Sequence, residues 1–489
     1  MIIINSFSKV IFSRSAVCCL IWGGILVLPV LLVSCGKKQV IAEIPTATPP
    51  GPTDGKQDDG EENPDEEDPD ITPPEGDFVI VGNGSGSLVI DGKDGRYSCN
   101  TAIKIKGGNY ASIAIRNLSG EQGCPFVIAN EGSVELSGSG RTMSLENLSY
   151  VNILGNSDPL VTYGFLFQNM NNEAIQMSGT INNFTLSDAR FDGINAYAVI
   201  RYKPTLVYNG SDGSFIKNLR FLNLASENSG TLIRFEASEG NGTVIGLIRG
   251  IEIADTRFSN SPAVGSVIVL EKAEDVDIHH NIVENINSSN SNHNGVFYIQ
   301  GNGRFYSNIV KHHQGNAIRA WIFSIGNTPK EMLIYNNIVV NSREYGAFEL
   351  QAFPRDIVAG ISTFANAKVF NNTCGDLRPK AGTFPAQVVD LYSLRGGACE
   401  IFNNVGYTFY RVGQNNTNYF WNELGDTSPS KHSNNLYYDN YQLAGIIDDS
   451  EFLLNAASPL KRAAVPFHLL TEDIYGNKRG DQPSVGAVE

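Results

Sequence analysis

Short runs of alternating apolar and polar residues, separated by Gly, Asn and Asp, extend from residue 78 to the end of the chain. Side chains of a β-strand point alternately to its two faces, so a period of two predicts strands with one buried face. The 3.6-residue spacing of an amphipathic helix does not occur in this region. The pattern therefore predicts an all-β domain.

One six-residue pattern recurs within these runs, with Asn or Asp near its centre and apolar residues at its ends. It occurs as Ile278-His-His-Asn281-Ile-Val283, Phe305-Tyr-Ser-Asn308-Ile-Val310, Ile334-Tyr-Asn-Asn337-Ile-Val339, Val369-Phe-Asn-Asn372-Thr-Cys374 and Ile401-Phe-Asn-Asn404-Val-Gly406. A second form upstream reads Leu186-Ser-Asp188-Ala-Arg-Phe191, Ile216-Lys-Asn218-Leu-Arg-Phe221 and Ile253-Ala-Asp255-Thr-Arg-Phe258. A repeat of this kind predicts a chain of similar coils.

The repeat predicts a parallel β-solenoid, in which each coil buries its apolar face against its neighbours and all coils share one core. Asn and Asp fit a bend in each coil, where they tolerate unusual backbone angles and bind the local backbone. Stacked coils repeat at about 4.8 Å, so amides of successive coils can also bond one another. We interpret these asparagines as structural rather than catalytic.

A further strand follows the Asn turn of each coil, and these strands can be aligned on their alternation. One column should face inward: Ile200, Ile233, Ile268, Phe297, Ile318, Phe348 and Val389. Two columns should face outward, Arg201, Arg234, Val269, Tyr298, Arg319, Glu349 and Asp390 in one, and Lys203, Glu236, Glu271, Gln300, Trp321, Gln351 and Tyr392 in the other. This outward face is the predicted location of a functional site.

Aromatic residues on the outward face favour contact with sugars. Tyr298, Trp321 and Tyr392 stand where polar residues would be expected. Aromatic rings stack on the apolar faces of sugar rings, and an exposed strand gains little from them otherwise. We predict that these three residues bind substrate together with Gln300 and Gln351.

Glu349 and Asp390 are the candidate catalytic carboxylates, with Arg319 beside them. Two carboxylates on neighbouring coils should repel, which raises one pKa and leaves that group an acid near neutral pH. Glycoside hydrolysis uses such a pair, about 5–5.5 Å apart for retention or about 6.5–9.5 Å apart for inversion. A lyase would instead use a base and a positive charge that neutralises a uronate, supplied by Arg319 or by bound Ca²⁺. An Arg319–Glu349 ion pair with a structural role only is the third interpretation.

Histidines and loops supply further candidates. The histidine pairs at 279–280 and 312–313 lie near Asn turns, where they could act as acids or metal ligands. Ordinary turn or surface positions are the simpler interpretation. Arg343 and Glu344 could overhang the outward face, and the insertion at 352–367 could form a second wall of a binding groove.

The charge of the chain, a net −15, is unevenly distributed. Residues 36–77 carry 13 acidic and 3 basic residues. The segment 36–76 is rich in Pro, Asp and Glu and cannot bury enough apolar surface to offset its ordering entropy, which predicts a disordered tether. The domain that follows, 77–489, is mildly acidic, and the absence of a basic stripe in its sequence argues against nucleic-acid binding.

The N-terminal segment has the features of a targeting signal. Lys9 and Arg14 precede an apolar stretch that ends at Leu32-Val33-Ser34-Cys35, which resembles a bacterial lipobox. We predict that residues 1–35 are a lipoprotein signal peptide and that Cys35 carries the lipid. A plain membrane anchor is the alternative, since about 20 apolar residues would span a bilayer. We expect a lipid-anchored protein of the cell envelope, at the outer membrane, that faces the periplasm or the cell surface and hence an oxidising space.

Four cysteines remain in the predicted domain, and their spacing allows two disulfides. Cys99 and Cys124 are 25 residues apart, as are Cys374 and Cys399, which fits neighbouring coils of the repeat. Free, buried cysteines are the alternative. The spacing of Cys and His does not match a structural zinc site.

The coils resemble right-handed parallel β-helix proteins of the pectate-lyase-like superfamily. The segments from Ile113 to Asn130 and from Asp473 to Glu489 resemble secreted β-helix proteins of the Bacteroidetes type, many of them lipoproteins. The resemblance implies a protein that acts on an extracellular polysaccharide, as a lyase or a glycoside hydrolase. We predict about a dozen coils and a monomer. No single enzyme family within the superfamily is matched. Because one fold hosts many functions, a non-catalytic glycan-binding or adhesive lipoprotein is the alternative.

Overall fold

The computed structural model describes residues 78–99, 102–240, 243–289, 291–326, 328–352, 362–377, 386–394, 397–409, 419–425 and 427–489. The predicted signal peptide with Cys35 and the predicted tether lie outside these residues. Within the described ranges, no helix is both long enough and apolar enough to cross a membrane.

The described residues form strands β1 to β34 and two short 3-10 helices, Gly92–Asp94 and Asp212–Ser214. Strands β1 to β12 are Phe78–Val81, Ser85–Asp91, Ala102–Ser119, Phe126–Ser137, Thr142–Leu154, Phe165–Met170, Ile175–Ser187, Ala189–Ile194, Ala198–Pro204, Ile216–Leu222, Ala225–Glu227 and Thr231–Phe235. Strands β13 to β24 are Ser238–Gly240, Thr243–Ile245, Ile248–Ala254, Arg257–Ser261, Ile268–His279, Ile282–Ile286, Gly295–Tyr306, Ile309–His313, Asn316–Ile322, Ser324–Ile325, Glu331–Tyr335 and Ile338–Ser342. Strands β25 to β34 are Phe348–Ala352, Ser362–Thr363, Asn366–Phe370, Thr373–Gly375, Val389–Tyr392, Cys399–Phe402, Val405–Tyr407, Trp421–Leu424, Lys431–Ser433 and Leu436–Tyr438.

The coil formed by β23, β24 and β25 shows how the sequence pattern folds. Asn336 follows β23 with a φ of 53° and redirects the chain into β24, and a second turn then leads into β25. Each of the three strands pairs in parallel with its equivalent in the next coil, which are β27, β28 and β29. We call these the first, second and third strands of a coil.

Thirty of the strands in the described residues join one continuous sheet, whose pairings between successive coils are parallel. The chain is therefore a right-handed parallel β-helix, as predicted. The predicted inward column of the third strands is paired in the expected register and is at most 1% exposed: Ile200, Ile233, Ile268, Phe297, Ile318, Phe348 and Val389. The core is this apolar interior shared by all coils.

The two neighbouring asparagines of the repeat have different roles. Asn336 adopts the left-handed backbone conformation, which Asn tolerates better than most residues. Asn337 is fully buried, donates from Nδ2 to Asn372 Oδ1 over 3.0 Å, and accepts from Asn308 Nδ2 over 3.1 Å. The same amide ladder runs through Asn281, Asn308, Asn337, Asn372, Asn404 and Asn435. The predicted amide ladder is confirmed, whereas the left-handed conformation falls on the residue before the recurring asparagine, as at His280, Ser307 and Asn336.

The predicted repeat unit that begins at Ile216 is wrong in its register. Phe221, not Ile216, pairs with Ile253 at the start of the next unit. Asn223, with a φ of 48°, therefore occupies the turn, while Asn218 lies at an earlier bend with a φ of 54°. The coil contains two bends of the same kind, so the six-residue pattern fits at either one.

The two predicted disulfides have different outcomes. Cys99 and Cys124 are joined, with their Cα atoms 5.2 Å apart. Cys374 and Cys399 are both free and buried, so the predicted second disulfide is wrong and the alternative of free cysteines holds. Cys374 lies on second strand β28 and Cys399 on first strand β30, so equal spacing in the sequence did not place them opposite each other.

The C-terminal segment after β34 packs on outward-facing apolar residues of the second strands. Ile338 and Val405 share an apolar cluster with Ile446, Leu460 and Val485 of this segment. The buried guanidinium group of Arg479 donates to the carbonyl oxygens of Gly486 (2.8 Å) and Ser484 (2.9 Å) and to Asn336 Oδ1 (3.1 Å). These contacts cover one side of the β-helix.

Candidate active site

The third strands bring the predicted catalytic residues together. Arg319 on β21 pairs with Glu349 on β25, and Glu349 pairs with Asp390 on β29. Tyr298 on β19 precedes Arg319 in the same column. Neighbouring strands of a sheet lie about 4.8 Å apart, so these side chains form one continuous row.

Glu349 contacts three polar neighbours and is only 3% exposed. Arg319 Nε lies 2.6 Å from Glu349 Oε1, and His293 Nε2 lies 2.8 Å from Glu349 Oε2. Gln351 also donates to Oε1. Burial opposes ionisation of Glu349, but the hydrogen bond from His293 and the charge of Arg319 outweigh it and lower the pKa of Glu349. Glu349 is therefore ionised at neutral pH.

His293 belongs to the site, although the sequence pattern did not identify it. It lies in the loop before β19, and its side chain is 36% exposed. Burial lowers its affinity for a proton, but the hydrogen bond and charge of Glu349 outweigh this effect and raise the pKa of His293. The only sequence signal for His293 is that it lies shortly before third strand β19, which pairs with the strand that carries Arg319.

A tight turn before β25 covers one side of this cluster. Tyr345 stacks on the His293 ring, with centroids 4.0 Å apart and planes 8° apart. Its φ of 76° is unusual for a bulky residue, and such strain costs about 1–3 kcal/mol and concentrates at functional sites. Only Gly fits at position 346, because a Cβ there would lie 2.5 Å from the Gln387 carbonyl oxygen and 3.0 Å from Asp390 Oδ2.

Asp390 is the group whose protonation is most strongly altered. Burial and the charge of Glu349 raise the pKa of Asp390 to about 7, while His293 and a hydrogen bond with Asn422 act in the opposite direction. The expected split between the two carboxylates is present: Glu349 stays ionised and Asp390 titrates near neutral pH. The arrangement can accept or donate a proton at Asp390 beside a fixed negative charge.

The chain matches no protein-family model and no curated protein. Among solved structures, it is similar to a PL6 family polysaccharide lyase from Pseudopedobacter saltans, with a TM-score of 0.38, 14% identity, and coverage of 74% of this chain and 93% of that chain. It is also similar to the pectate lyase Pel9A, with a TM-score of 0.37, 13% identity, and coverage of 83% of this chain and 96% of that chain. A third similar structure is an alginate lyase from Paenibacillus sp. str. FPU-7, with a TM-score of 0.32, 14% identity, and coverage of 72% of this chain and 97% of that chain. Similarity at this level concerns the fold alone.

The predicted substrate-binding residues divide into exposed and supporting ones. Tyr392 is 51% exposed, so its ring is accessible. Trp321 meets the Tyr298 ring edge-on, with centroids 5.8 Å apart, and packs partly against a lateral apolar cluster that includes Phe323. Gln300 is only 8% exposed and donates to the Tyr298 hydroxyl over 3.1 Å. Gln300 and Trp321 therefore support the floor of the outward face, and Tyr392 presents a free ring.

The site offers little to a metal ion. Across the described parts of the chain, no group of three or more His, Cys, Asp and Glu side chains is arranged to hold one. Both oxygens of Glu349 contact cationic or donor groups from Arg319 and His293, which would repel Ca²⁺. The suggestion that Glu349 and Asp390 together hold Ca²⁺ does not fit these contacts.

The predicted histidine pairs lie apart from this row. His279 stacks on Tyr306 along the first strands, with centroids 4.9 Å apart. His313 is fully buried, and burial lowers its pKa to about 3. Arg343 is exposed and donates to the Asn287 carbonyl oxygen over 2.5 Å, beside Glu344 in the turn that covers the site. Most of the insertion at 352–367 lies outside the described residues.

Proposed function

We propose that this protein cleaves an extracellular polysaccharide at the outward face of its third strands, with Asp390 as the catalytic base. The observation that carries the proposal is a carboxyl group with a pKa near 7 beside the fixed, ionised Glu349. A general base is most effective when its pKa lies near the working pH. Tyr392 on the same strand offers an exposed ring on which a sugar can stack.

Elimination fits this geometry better than hydrolysis, because Glu349 is not free to act as a second catalytic carboxylate. Hydrolysis would need Glu349 to attack the sugar or to activate a water molecule, yet Arg319 and His293 engage both of its oxygens. Elimination needs one base and a neutralising positive charge. Asp390 takes the proton next to a uronate carboxylate, the C–O bond to the neighbouring sugar breaks, and a carbon–carbon double bond forms. Arg319 and protonated His293 balance the negative charges of Glu349 and of ionised Asp390, and the site carries one net positive charge once Asp390 has taken the proton.

The experiment is an incubation of the purified domain with neutral and uronate-containing polysaccharides. Reducing ends and the ultraviolet absorbance of a new double bond are measured together. We expect both signals to rise in parallel on a uronate polymer. Reducing ends without absorbance would indicate hydrolysis, and neither signal on any polymer would overturn the proposal. Binding to a glycan array without product, lost in Tyr392→Ala, would support the adhesive alternative.

We also propose that the protein is held in the cell envelope by a lipid on Cys35, with residues 36–76 as a tether. The support is the lipobox-like Leu32–Cys35 segment and the acidic composition that follows it. We expect the full chain to incorporate a labelled fatty acid, whereas Cys35→Ala does not. Cys18→Ala, in the same apolar stretch, is the control and should behave as wild type. Labelling of Cys35→Ala would contradict the proposal.

A further inference from the structure

His293 is held from two sides through the same ring nitrogen. Its Nε2 lies 2.8 Å from Glu349 Oε2 and 2.9 Å from Asn316 Oδ1. Asn316 is fully buried, and its Nδ2 donates to the Gly346 carbonyl oxygen over 3.0 Å. That contact fixes the orientation of the Asn316 amide, so the oxygen, an acceptor, must face the histidine.

Two acceptors around one ring nitrogen determine where the proton of neutral His293 resides. An ionised carboxylate and an amide oxygen both require a donor, so Nε2 carries a hydrogen in the neutral and in the charged ring. The proton that comes and goes on His293 is therefore the one on Nδ1. Within the described part of the chain, no hydrogen bond to Nδ1 is present, and the side chain is 36% exposed.

We propose that His293 is a second proton-transfer residue of this site, with Nε2 as a permanent donor to Glu349 and Asn316 and Nδ1 as the atom that exchanges a proton with the substrate. This inference rests on the proposed function and assigns a residue to the second proton transfer of the elimination, the one to the leaving oxygen. Asp390 receives the carbon-bound proton, and protonated His293 gives its Nδ1 proton to the oxygen that leaves the uronate residue. Asp390 ends neutral and protonated, and His293 ends neutral. Solvent then restores both.

Groups on every element packed against His293 support this assignment. Glu349 on β25 attracts the proton, and Arg319 on β21 repels it. Tyr345 stacks on the ring from the turn before β25. Asp390 on β29 responds to the charge of His293, so the two groups are coupled. The ionised base and the protonated acid are required together, which predicts a bell-shaped dependence of the rate on pH.

The first test uses the imidazole ring and needs no substrate. The chain has seven histidines, so selective ¹⁵N-histidine labelling with His293→Gln as the assignment variant identifies its two ring nitrogens. We expect Nε2 to stay protonated across the range from about pH 5 to 9, while Nδ1 titrates. A neutral ring that is protonated at Nδ1 would overturn the proposal.

The second test measures cleavage. His293→Gln keeps a donor near Glu349 but cannot titrate, and we expect kcat to fall by about 10²–10⁴-fold with loss of the alkaline limb of the pH profile. His312→Asn, at an exposed turn of a neighbouring coil, should leave kcat and the pH profile unchanged. Wild-type cleavage with an unaltered His293→Gln profile would overturn the role of His293 alone. If wild type cleaves no polysaccharide, the proposed function fails, and the proton-transfer role fails with it.

Discussion

Replacing Asp390 with Asn is expected to reduce polysaccharide cleavage by about 10²–10⁴-fold, the usual contribution of a general base. The variant keeps the size of the side chain and its place beside Asn422, but it cannot accept a proton. The measurement is kcat on the cleaved polymer, with circular dichroism to show that the β-helix is intact. Asp192→Asn, on second strand β8, is the matched control and should retain full activity.

The same substitution should stabilise the folded protein at high pH. Burial and Glu349 raise the pKa of Asp390 to about 7, above the ordinary value for Asp, so the folded state binds its proton more tightly than the unfolded state does. That contribution is complete below about pH 4 and is lost as the pH rises through about 7. Asp390→Asn removes this loss, and its stability relative to wild type should grow over that interval. Unchanged cleavage, or equal losses in both Asp variants, would contradict the assignment of Asp390.

The strand register was predictable because a slip of one residue would expose a whole column of apolar side chains. The inward column from Ile200 to Val389 is apolar throughout, so an alignment shifted by one residue would move these side chains to the outward face. The outward positions of Arg319, Glu349 and Asp390 follow from the same alternation. The bends of the coil lack such a constraint, which is why Asn218 could take the place of Asn223 in the predicted pattern.

The chemical state of the site was less predictable than its location. His293 comes from a loop, where neither alternation nor spacing fixes a position, and it reaches Glu349 only because successive coils stack. Without His293, Arg319 and Gln351 would engage only Oε1 of Glu349, and Oε2 would resemble a free catalytic oxygen. With His293, Glu349 is a fixed charge that acts on Asp390. The burial of Gln300 likewise depends on contacts between coils that a single strand does not reveal.

Replacing Asn337 with Ala should cause the largest loss of stability among single substitutions in the repeat, about 3–5 kcal/mol. The Asn337 side chain accepts from the backbone N–H and the Nδ2 of Asn308, over 3.0 and 3.1 Å. It donates to Asn372 Oδ1 over 3.0 Å and to the Phe305 carbonyl oxygen over 2.9 Å. Alanine would leave these buried groups without their partner, and each unpaired group costs about 1–3 kcal/mol before the site relaxes.

The matched control is Asn285→Ala, which alters an exposed Asn with a φ of 56°. It should cost only about 1–2 kcal/mol, because it adds backbone strain without breaking a buried ladder. The shift of the guanidinium unfolding midpoint compares the two variants, and hydrogen exchange should show faster opening centred on the coils that contain Asn308 and Asn372. Asn337→Asp should destabilise as much as Asn337→Ala, because a carboxylate cannot donate to Asn372 Oδ1 and repels it. If Asn337→Ala shifts the midpoint no more than the control does, the ladder is not what holds successive coils together, and the apolar core alone must do so.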